Sequence, residues 1–203
     1  MFNQSACPQI DLSNMTSSAR HDFLKTQLFQ LTVAATMQRN KVYADATTEA
    51  DRLDFRVALR KQLDLLTPHY GTRVSDEKHE EYISSMADAL SRSHEGVLVD
   101  GRLRIGTAQK ALNLWLKYLW CSDFLPIEPP HCPFDRIIIQ GHLPPEVHHI
   151  HWTTSDSLSE YRELWMAAKK LANVKSLSIA QWELDAYGSG QQSRRADAGN
   201  WSG

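Results

Sequence analysis

The chain has 203 residues, 42% of them hydrophobic and 23% charged, which is typical of a globular protein that buries one substantial core. Its formal net charge of -2 argues against a protein that coats nucleic acid through a basic excess, although an enzyme with one basic face stays compatible. The three widely spaced cysteines imply neither a disulfide framework nor a paired zinc motif.

The same sequence contains neither a charged-then-apolar leader with a cleavage site nor a run of about 18 apolar residues. We therefore expect a protein that is not secreted and does not insert into a membrane. The odd number of cysteines fits a reducing compartment. The expected location is the cytoplasm.

Three helices are predicted in the first half of the chain, after a polar and irregular lead-in over residues 1–17. Each begins near a Ser or Thr that can cap a helix and carries apolar residues at helical spacing. Their predicted ranges are 18–37, 47–66 and 74–92. In the second helix the repeating pattern includes Leu53, Val57 and Leu63.

The period of the sequence changes to two at residues 97–104, around Asp100-Gly101. An Asp-Gly pair flanked by alternating apolar residues is the strongest short signal of a β-hairpin. A small hairpin is therefore predicted immediately before the next helix. That helix has an apolar stripe that belongs to the core and a second stripe that can face a cleft, formed by Lys110, Asn113, Lys117 and Trp120.

Three further helices are predicted in the second half of the chain. A short one runs to about residue 140, a longer one from a cap at Ser155 or Asp156 to residue 171, and a final one from Ser178 to residue 187. Residues 188–203 have low complexity and are expected to be disordered. The predicted organisation is a single, mainly α domain over residues 1–187.

Positive charge is concentrated in the segment between Asp100 and Asp123, which contains no acidic residue. Its four cations, Arg102, Arg104, Lys110 and Lys117, are expected to be unopposed. The sequence therefore predicts a local anion site in an otherwise acidic chain.

Asp135 follows Cys132-Pro133-Phe134 at the start of an apolar run. Pro133 suits the first position of a helix, because that position has no amide partner in any case. Asp135 would then lie in the first turn, where the helix dipole and free amides favour the ionised carboxylate.

A glycine turn, a helix with lysines and an aspartate after a proline-containing segment together resemble the helix-hairpin-helix DNA glycosylases. The nearest branches are the archaeal 8-oxoguanine glycosylases and bacterial phage-defence glycosylases that remove glucosylated hydroxymethylcytosine. The resemblance covers residues 100–145 and implies a helical glycosylase-like domain with a helix-hairpin-helix-like element.

The resemblance also implies roles for individual residues. Lys110 would be the nucleophile and Asp135 the carboxylate that stabilises positive charge on the sugar, with Lys117 as the alternative nucleophile. The implied DNA contacts are Arg102, Arg104, Gly106, Thr107, Gln109 and Lys117. Trp120, which shares the face of Lys110, and His131 would line the pocket for a flipped base.

His148, His149 and His151 form the one histidine cluster of the chain, next to Trp152. Their spacing fits no familiar zinc pattern, and the cluster lies between prolines and the following helix. We interpret the cluster as a polar loop over the cleft and expect no metal. A metal hydrolase that uses this loop is a further hypothesis.

The function expected from the sequence is excision of a modified base from double-stranded DNA by a monomer without a cofactor. Glucosylated hydroxymethylcytosine in phage DNA is the leading substrate and 8-oxoguanine the other, and an imine at Lys110 would permit strand cleavage. The alternative is a non-enzymatic DNA-binding or phage-defence accessory protein, in which the basic segment binds phosphates and Asp135 only caps a helix.

Overall fold

The computed structural model describes residues 12–38 and 40–188. Within these ranges the chain forms helices α1 (Leu12–Met37), α2 (Glu49–Leu66), α3 (Asp76–Ser93), α4 (Ile105–Cys121), α5 (Arg136–His142), α6 (Leu158–Val174) and α7 (179–188). The same residues contain no strand, only an isolated antiparallel bridge between Tyr43 and Leu98. The prediction of a mainly α protein is confirmed for this part of the chain. Residues 1–11 and 189–203 lie outside it, with most of the predicted lead-in and tail.

The helix starts follow from capping side chains, with one correction. In α2, the side chain of Thr48 accepts a hydrogen bond from the amide of Asp51, whose carboxylate accepts the amide of Thr48 in return. At the start of α3 the Ser75 hydroxyl accepts the amide of Lys78. The predicted start of α1 at Ser18 is wrong, because the helix already runs through residues 12–17.

The apolar stripe predicted for α2 is also corrected. The buried residues of this helix are Phe55, Leu59 and Leu63, whereas Leu53 and Val57 are exposed. Spacing alone favoured both sets, because Leu53 and Val57 also recur at helical intervals. The neighbouring helices decide which face of α2 is covered.

Helix α4 lies at the centre of the fold and packs against α1, α3 and α6. Its predicted core stripe is buried, from Ala108 to Leu119. Its polar residues Gln109, Lys110 and Asn113 are buried as well. Residues 105–116 of this helix are all buried, so their polar groups need partners within the protein or at a cleft.

The predicted β-hairpin over residues 97–104 is not present among the described residues. Asp100 and Gly101 do adopt the positive φ values of a hairpin turn, 57° and 67°. The Arg102 amide bonds back to the Val99 carbonyl at 3.2 Å across the turn, but the described residues on its two sides form no β-ladder. The amide of Val99 instead donates to the carbonyl of Val42 at 2.9 Å, and a 3₁₀ turn over Val99–Gly101 leads into α4.

The first turn of α4 is capped by the loop that precedes α6. The amide of Ile105 donates to Oδ1 of Asp156 at 3.0 Å, and the amide of Gly106 donates to the carbonyl of Ser155 at 2.9 Å. The sequence predicted that Ser155 or Asp156 caps α6. This prediction is wrong, because Ser157 caps that helix. Ser178 begins α7 as predicted, since its hydroxyl accepts the amide of Gln181.

None of the described helices combines the length and apolar character needed to cross a bilayer.

Candidate functional site

A cleft of about 690 Å³ opens where α1, α4 and α5 meet the loop over residues 150–153. Lys110 and Asp135 both line it. The other polar side chains at its walls belong to Gln38, Arg136, Gln140, His151 and Thr153. The two residues expected to be catalytic, which are 25 positions apart in the sequence, thus meet in one open cavity.

The ammonium nitrogen of Lys110 lies 3.3 Å from Oδ2 of Asp135. The lysine side chain is 8% exposed and the aspartate side chain 27%, so the pair lies at the boundary between the core and the cleft. An ion pair in this position is only partly hydrated. It can be reached by a ligand without unfolding of either helix.

Two opposing effects act on the pKa of Lys110. Burial lowers the pKa, because the charged ammonium loses hydration, while the negative charge of Asp135 raises it; burial is the larger effect. The ring of Trp152 contributes to this burial, since Lys110 Nζ lies 4.1 Å from the ring centroid. The net lowering increases the fraction of neutral amine, which is the nucleophilic form.

Asp135 holds its position through the start of α5. Its Oδ1 accepts hydrogen bonds from the amides of Ile137 at 2.9 Å and Ile138 at 3.2 Å. Asp135 is therefore the N-cap of α5, and not a first-turn residue after Pro133 as predicted, because the helix begins at Arg136. With Oδ1 committed to these amides, Oδ2 points to Lys110.

Phe134, directly before Asp135, is tied to α4 by Gln109. The side-chain amide of Gln109 donates to the carbonyl of Phe134 at 2.8 Å, and its Oε1 accepts the Phe134 amide at 3.2 Å. Asn113 donates to the same oxygen at 3.2 Å and belongs to a buried network with His79. Asn113 is thus an interior residue, although the sequence placed it on a face toward a cleft.

The four cations predicted to be unopposed are all paired, which corrects the predicted anion site. Arg102 contacts Asp88 at 3.1 Å and Asp156 at 2.5 Å, and Arg104 contacts Asp100 at 2.7 Å. Lys117 lies 2.7 Å from Oε2 of the buried Glu183, and Lys110 pairs with Asp135. The opposing carboxylates include residues far away in the sequence, which its local charge pattern does not reveal.

The remaining residues for which the resemblance implied DNA contacts also have partners inside the protein. The amide of Gly106 is occupied by Ser155, the Thr107 hydroxyl accepts a hydrogen bond from Asn40 at 3.0 Å, and Gln109 holds Phe134. All three residues are buried. In this arrangement they support α4 and present no group to a DNA backbone.

The two residues expected in a base pocket lie away from the cleft. His131 is buried, stacks on Trp165 with ring centroids 4.9 Å apart, and is hydrogen-bonded to the hydroxyl of Tyr161 at 2.6 Å. Trp120 is half-buried against the core. Neither residue lines the cleft of Lys110, where the aromatic side chain is that of Trp152.

The histidine cluster divides between the cleft and the local backbone. His151 lines the cleft, whereas His148 and His149 donate to the carbonyls of Leu143 and Glu146, each at 2.9 Å. Within residues 12–38 and 40–188, no group of three or more His, Cys, Asp or Glu side chains is placed to hold a metal ion.

Sequence reasoning missed several cleft residues. Gln38, Arg136 and Gln140 carry no signal of their own, since single polar residues on exposed helix turns are ordinary. Trp152 was noticed only as a neighbour of the histidines. Its position against Lys110 depends on Gly106, since a Cβ at Gly106 would lie 1.9 Å from the Trp152 carbonyl oxygen.

No protein-family model, curated protein or solved structure matches this chain.

Proposed function

We propose that the protein is a DNA N-glycosylase that excises a modified base, with Lys110 as nucleophile and Asp135 as its electrostatic partner. The observation that carries this proposal is the 3.3 Å contact between the two side chains at the wall of an open cleft. Most surface lysines are fully hydrated, whereas this one is buried with a lowered pKa. The resemblance to helix-hairpin-helix glycosylases supplies the reaction class.

The chemistry requires a neutral amine and an ionised carboxylate close to the same sugar carbon. The amine nitrogen of Lys110 attacks C1′ of the deoxyribose while the bond from C1′ to the base breaks, and the base leaves with the electron pair and takes up a proton. Asp135 stabilises the positive charge that develops on the sugar. The electron pair of the attached nitrogen then forms a C=N bond as the C1′–O4′ bond breaks, and the remaining proton on nitrogen passes to O4′. The product is an imine between Lys110 and C1′, from which strand cleavage can follow.

The cleft favours a base that carries an additional polar substituent. Its volume of about 690 Å³ lies within the range of about 300–1,000 Å³ for ligand pockets, large enough for a base with an attached sugar. The side chains of Gln38, Gln140 and His151 line this cleft and can hydrogen-bond to sugar hydroxyls. We therefore favour glucosylated hydroxymethylcytosine in phage DNA over 8-oxoguanine, and with it a role in phage defence.

DNA would approach this cleft from the side of α5. Arg136 is exposed, lines the cleft and has no ion-pair partner among the described residues. A guanidinium at the first position of α5 is well placed to contact a phosphate next to a flipped nucleotide. The four paired cations of residues 102–117 are less available for this role, because each would have to leave a carboxylate.

The proposed function is tested with three DNA substrates: unmodified DNA, DNA with glucosylated hydroxymethylcytosine and DNA with 8-oxoguanine. Mass spectrometry of the small-molecule fraction identifies any released base. We expect release from the glucosylated DNA and none from unmodified DNA. Release of 8-oxoguanine alone would support a glycosylase whose substrate is 8-oxoguanine. If the folded protein releases no base from any of the three substrates, the proposal is refuted.

Borohydride reduction distinguishes the enzyme from a DNA-binding accessory protein, in which the Lys110–Asp135 pair would be purely structural. An imine between Lys110 and an abasic site is reduced to a stable covalent adduct. We expect a cross-link that mass spectrometry assigns to Lys110. A protein that binds DNA without forming any cross-link and without releasing base fits the accessory protein.

A further inference from the structure

The distance between Lys110 and Asp135 depends on how the segment before α5 is attached to α4. Asp135 is fixed to α5 through the amides of Ile137 and Ile138, but these bonds set only its place in that helix. Lys110 belongs to α4, so a separate connection must hold the two helices in register. The side chain of Gln109 makes that connection.

Gln109 binds both backbone polar groups of Phe134, the N–H of one peptide group and the C=O of the next. Its Nε2 donates to the Phe134 carbonyl and its Oε1 accepts the Phe134 amide. Apart from the Lys110–Asp135 pair itself, these are the polar contacts that join α4 to residues 132–135 among the described residues. Phe134 is fully buried, so water does not replace these bonds when they are lost.

Gln109 is itself held in one orientation by the interior of α4. Its Nε2 also donates to the carbonyl of Gly106 at 3.0 Å, and its Oε1 also accepts from Asn113 at 3.2 Å. It is 1% exposed and directly precedes Lys110 in the helix. One stretch of α4 therefore carries both the amine and the group that anchors its carboxylate partner.

We infer that Gln109 is a positioning residue that holds Asp135 against Lys110, an inference that rests on the proposed function for its catalytic consequence. Gln109 is buried and does not line the cleft. It acts by fixing the peptide group next to Asp135. Among uncharged side chains, one with a donor and an acceptor on its terminal group can satisfy both the N–H and the C=O of Phe134.

Removal of the Gln109 hydrogen bonds to Phe134 should lower the pKa of Lys110. Asp135 raises this pKa, against the larger lowering by burial. We call the two hydrogen bonds from Gln109 to Phe134 the clamp. If the clamp is removed and Asp135 moves away, the negative charge of Asp135 raises the pKa of Lys110 less, and that pKa falls further. In unfolded protein Lys110 is hydrated, so loss of folded protein would move the midpoint of its modification to higher pH, toward that of a free lysine and opposite to the expected shift.

The test uses Gln109→Met, which keeps the side-chain length and removes both hydrogen bonds to Phe134, together with those to Gly106 and Asn113. Reductive methylation with formaldehyde and cyanoborohydride is followed at Lys110 by mass spectrometry across a pH series. We expect the midpoint of modification to move to lower pH, as it should in Asp135→Asn. In the double variant the shift should not exceed that of Asp135→Asn alone, because both changes remove the same interaction.

Catalysis adds a second measurement on the full-length protein. At saturating substrate, kcat for base release should fall about 100-fold in Gln109→Met, the size expected from a misplacement of about 1 Å, while KM changes little. Gln181→Met serves as control, because Gln181 bonds Glu128 at 2.6 Å outside the cleft. This control should leave the Lys110 midpoint unchanged.

An unchanged midpoint in folded Gln109→Met would overturn the inference. If Gln109→Met does not fold, Gln109→Asn replaces it, since its amide keeps a polar group in the interior but is too short to span the same gap. The methylation experiment needs no DNA. Absence of base release from the wild-type protein would therefore refute the proposed function. The positioning role of Gln109 would still be tested by the midpoint of Lys110 methylation.

Discussion

Gly106 and the carbonyl oxygen of Trp152 lie so close together that a Cβ on the glycine would be 1.9 Å from that oxygen. This approach lets the loop over residues 152–156 cap the first turn of α4. It also sets the ring of Trp152 over Lys110. Gly106, which the resemblance placed among the DNA contacts, therefore has a packing role at the candidate site.

We expect Gly106→Ala to destabilise the protein by about 1–3 kcal/mol, since the added methyl group forces the loop or the helix to move. The movement should also displace Trp152 and weaken base release by the folded fraction. Thermal unfolding and excision assays measure the two effects. Gly96→Ala is the matched control, because nothing lies within 4 Å of a Cβ there, and equal effects of the two changes would contradict the packing role.

Asp135→Asn distinguishes the role of Asp135 as the N-cap of α5 from the role of its negative charge. The side-chain oxygen of asparagine can still accept the amides of Ile137 and Ile138, so the cap should persist. The free energy of unfolding should then fall only by the cost of leaving the Lys110 ammonium without its carboxylate. The loss of negative charge next to the sugar should slow base release by about 100- to 1,000-fold. Single-turnover excision assays check this, and a near-normal rate would remove Asp135 from the proposed mechanism.

We expect Lys110→Gln to affect the reaction and Lys117→Gln to affect the stability of the fold. Lys110→Gln should abolish borohydride trapping on abasic DNA, because the nucleophilic amine is gone. Lys117→Gln should keep trapping but destabilise the fold by about 3–5 kcal/mol, since it leaves Glu183 buried without its cation. Trapping yield and urea unfolding measure the two properties. Loss of trapping only in folded Lys117→Gln would move the nucleophile two turns along α4.

Trp152→Leu and Asp135→Asn should shift the pKa of Lys110 in opposite directions. Burial lowers this pKa, so a smaller side chain at residue 152 admits water and raises the pKa toward the value of a free lysine. Asp135 raises the pKa, so its neutralisation lowers it. The fraction of neutral amine at a given pH therefore falls in the first variant and rises in the second. The pH dependence of Lys110 methylation measures the direction of the pKa shift in both variants, and the pH dependence of imine trapping measures it in Trp152→Leu. A shift in the same direction in both variants would contradict the opposing effects assigned to burial and to Asp135.

Arg136→Gln should weaken DNA binding more than Arg102→Gln does. Arg136 has no ion-pair partner among the described residues, whereas Arg102 contacts two carboxylates. Removing one phosphate contact should lower the slope of log affinity against log salt by about one. Arg102→Gln should mainly cost stability, by about 1 kcal/mol or less for partly exposed pairs. Binding measured across a salt series compares the two, and a larger slope change for Arg102 would favour the original DNA-contact prediction.

Helix content and helix positions were predictable from the sequence, because capping and apolar periodicity are local properties. Thr48, Ser75 and Ser178 mark helix starts through bonds to amides only three residues away. Asp135 was recognised for the same reason, as a carboxylate at the start of a helix. Local rules were weaker at the Asp100-Gly101 turn, which has hairpin geometry without paired strands, because strand pairing is not local.

The partners of the charged groups were decided by the tertiary structure. Lys117 and Glu183 are 66 positions apart, and Arg102 meets Asp156 across 54 positions, so a local count of charges could not show that either cation is neutralised. The same holds for the covering of Lys110 by Trp152 and for the burial of His131. The chain alone determined that a lysine and an aspartate of suitable chemistry were present. Only the packing of α4 against its neighbours set their separation, because burial and ion pairing depend on distances in space.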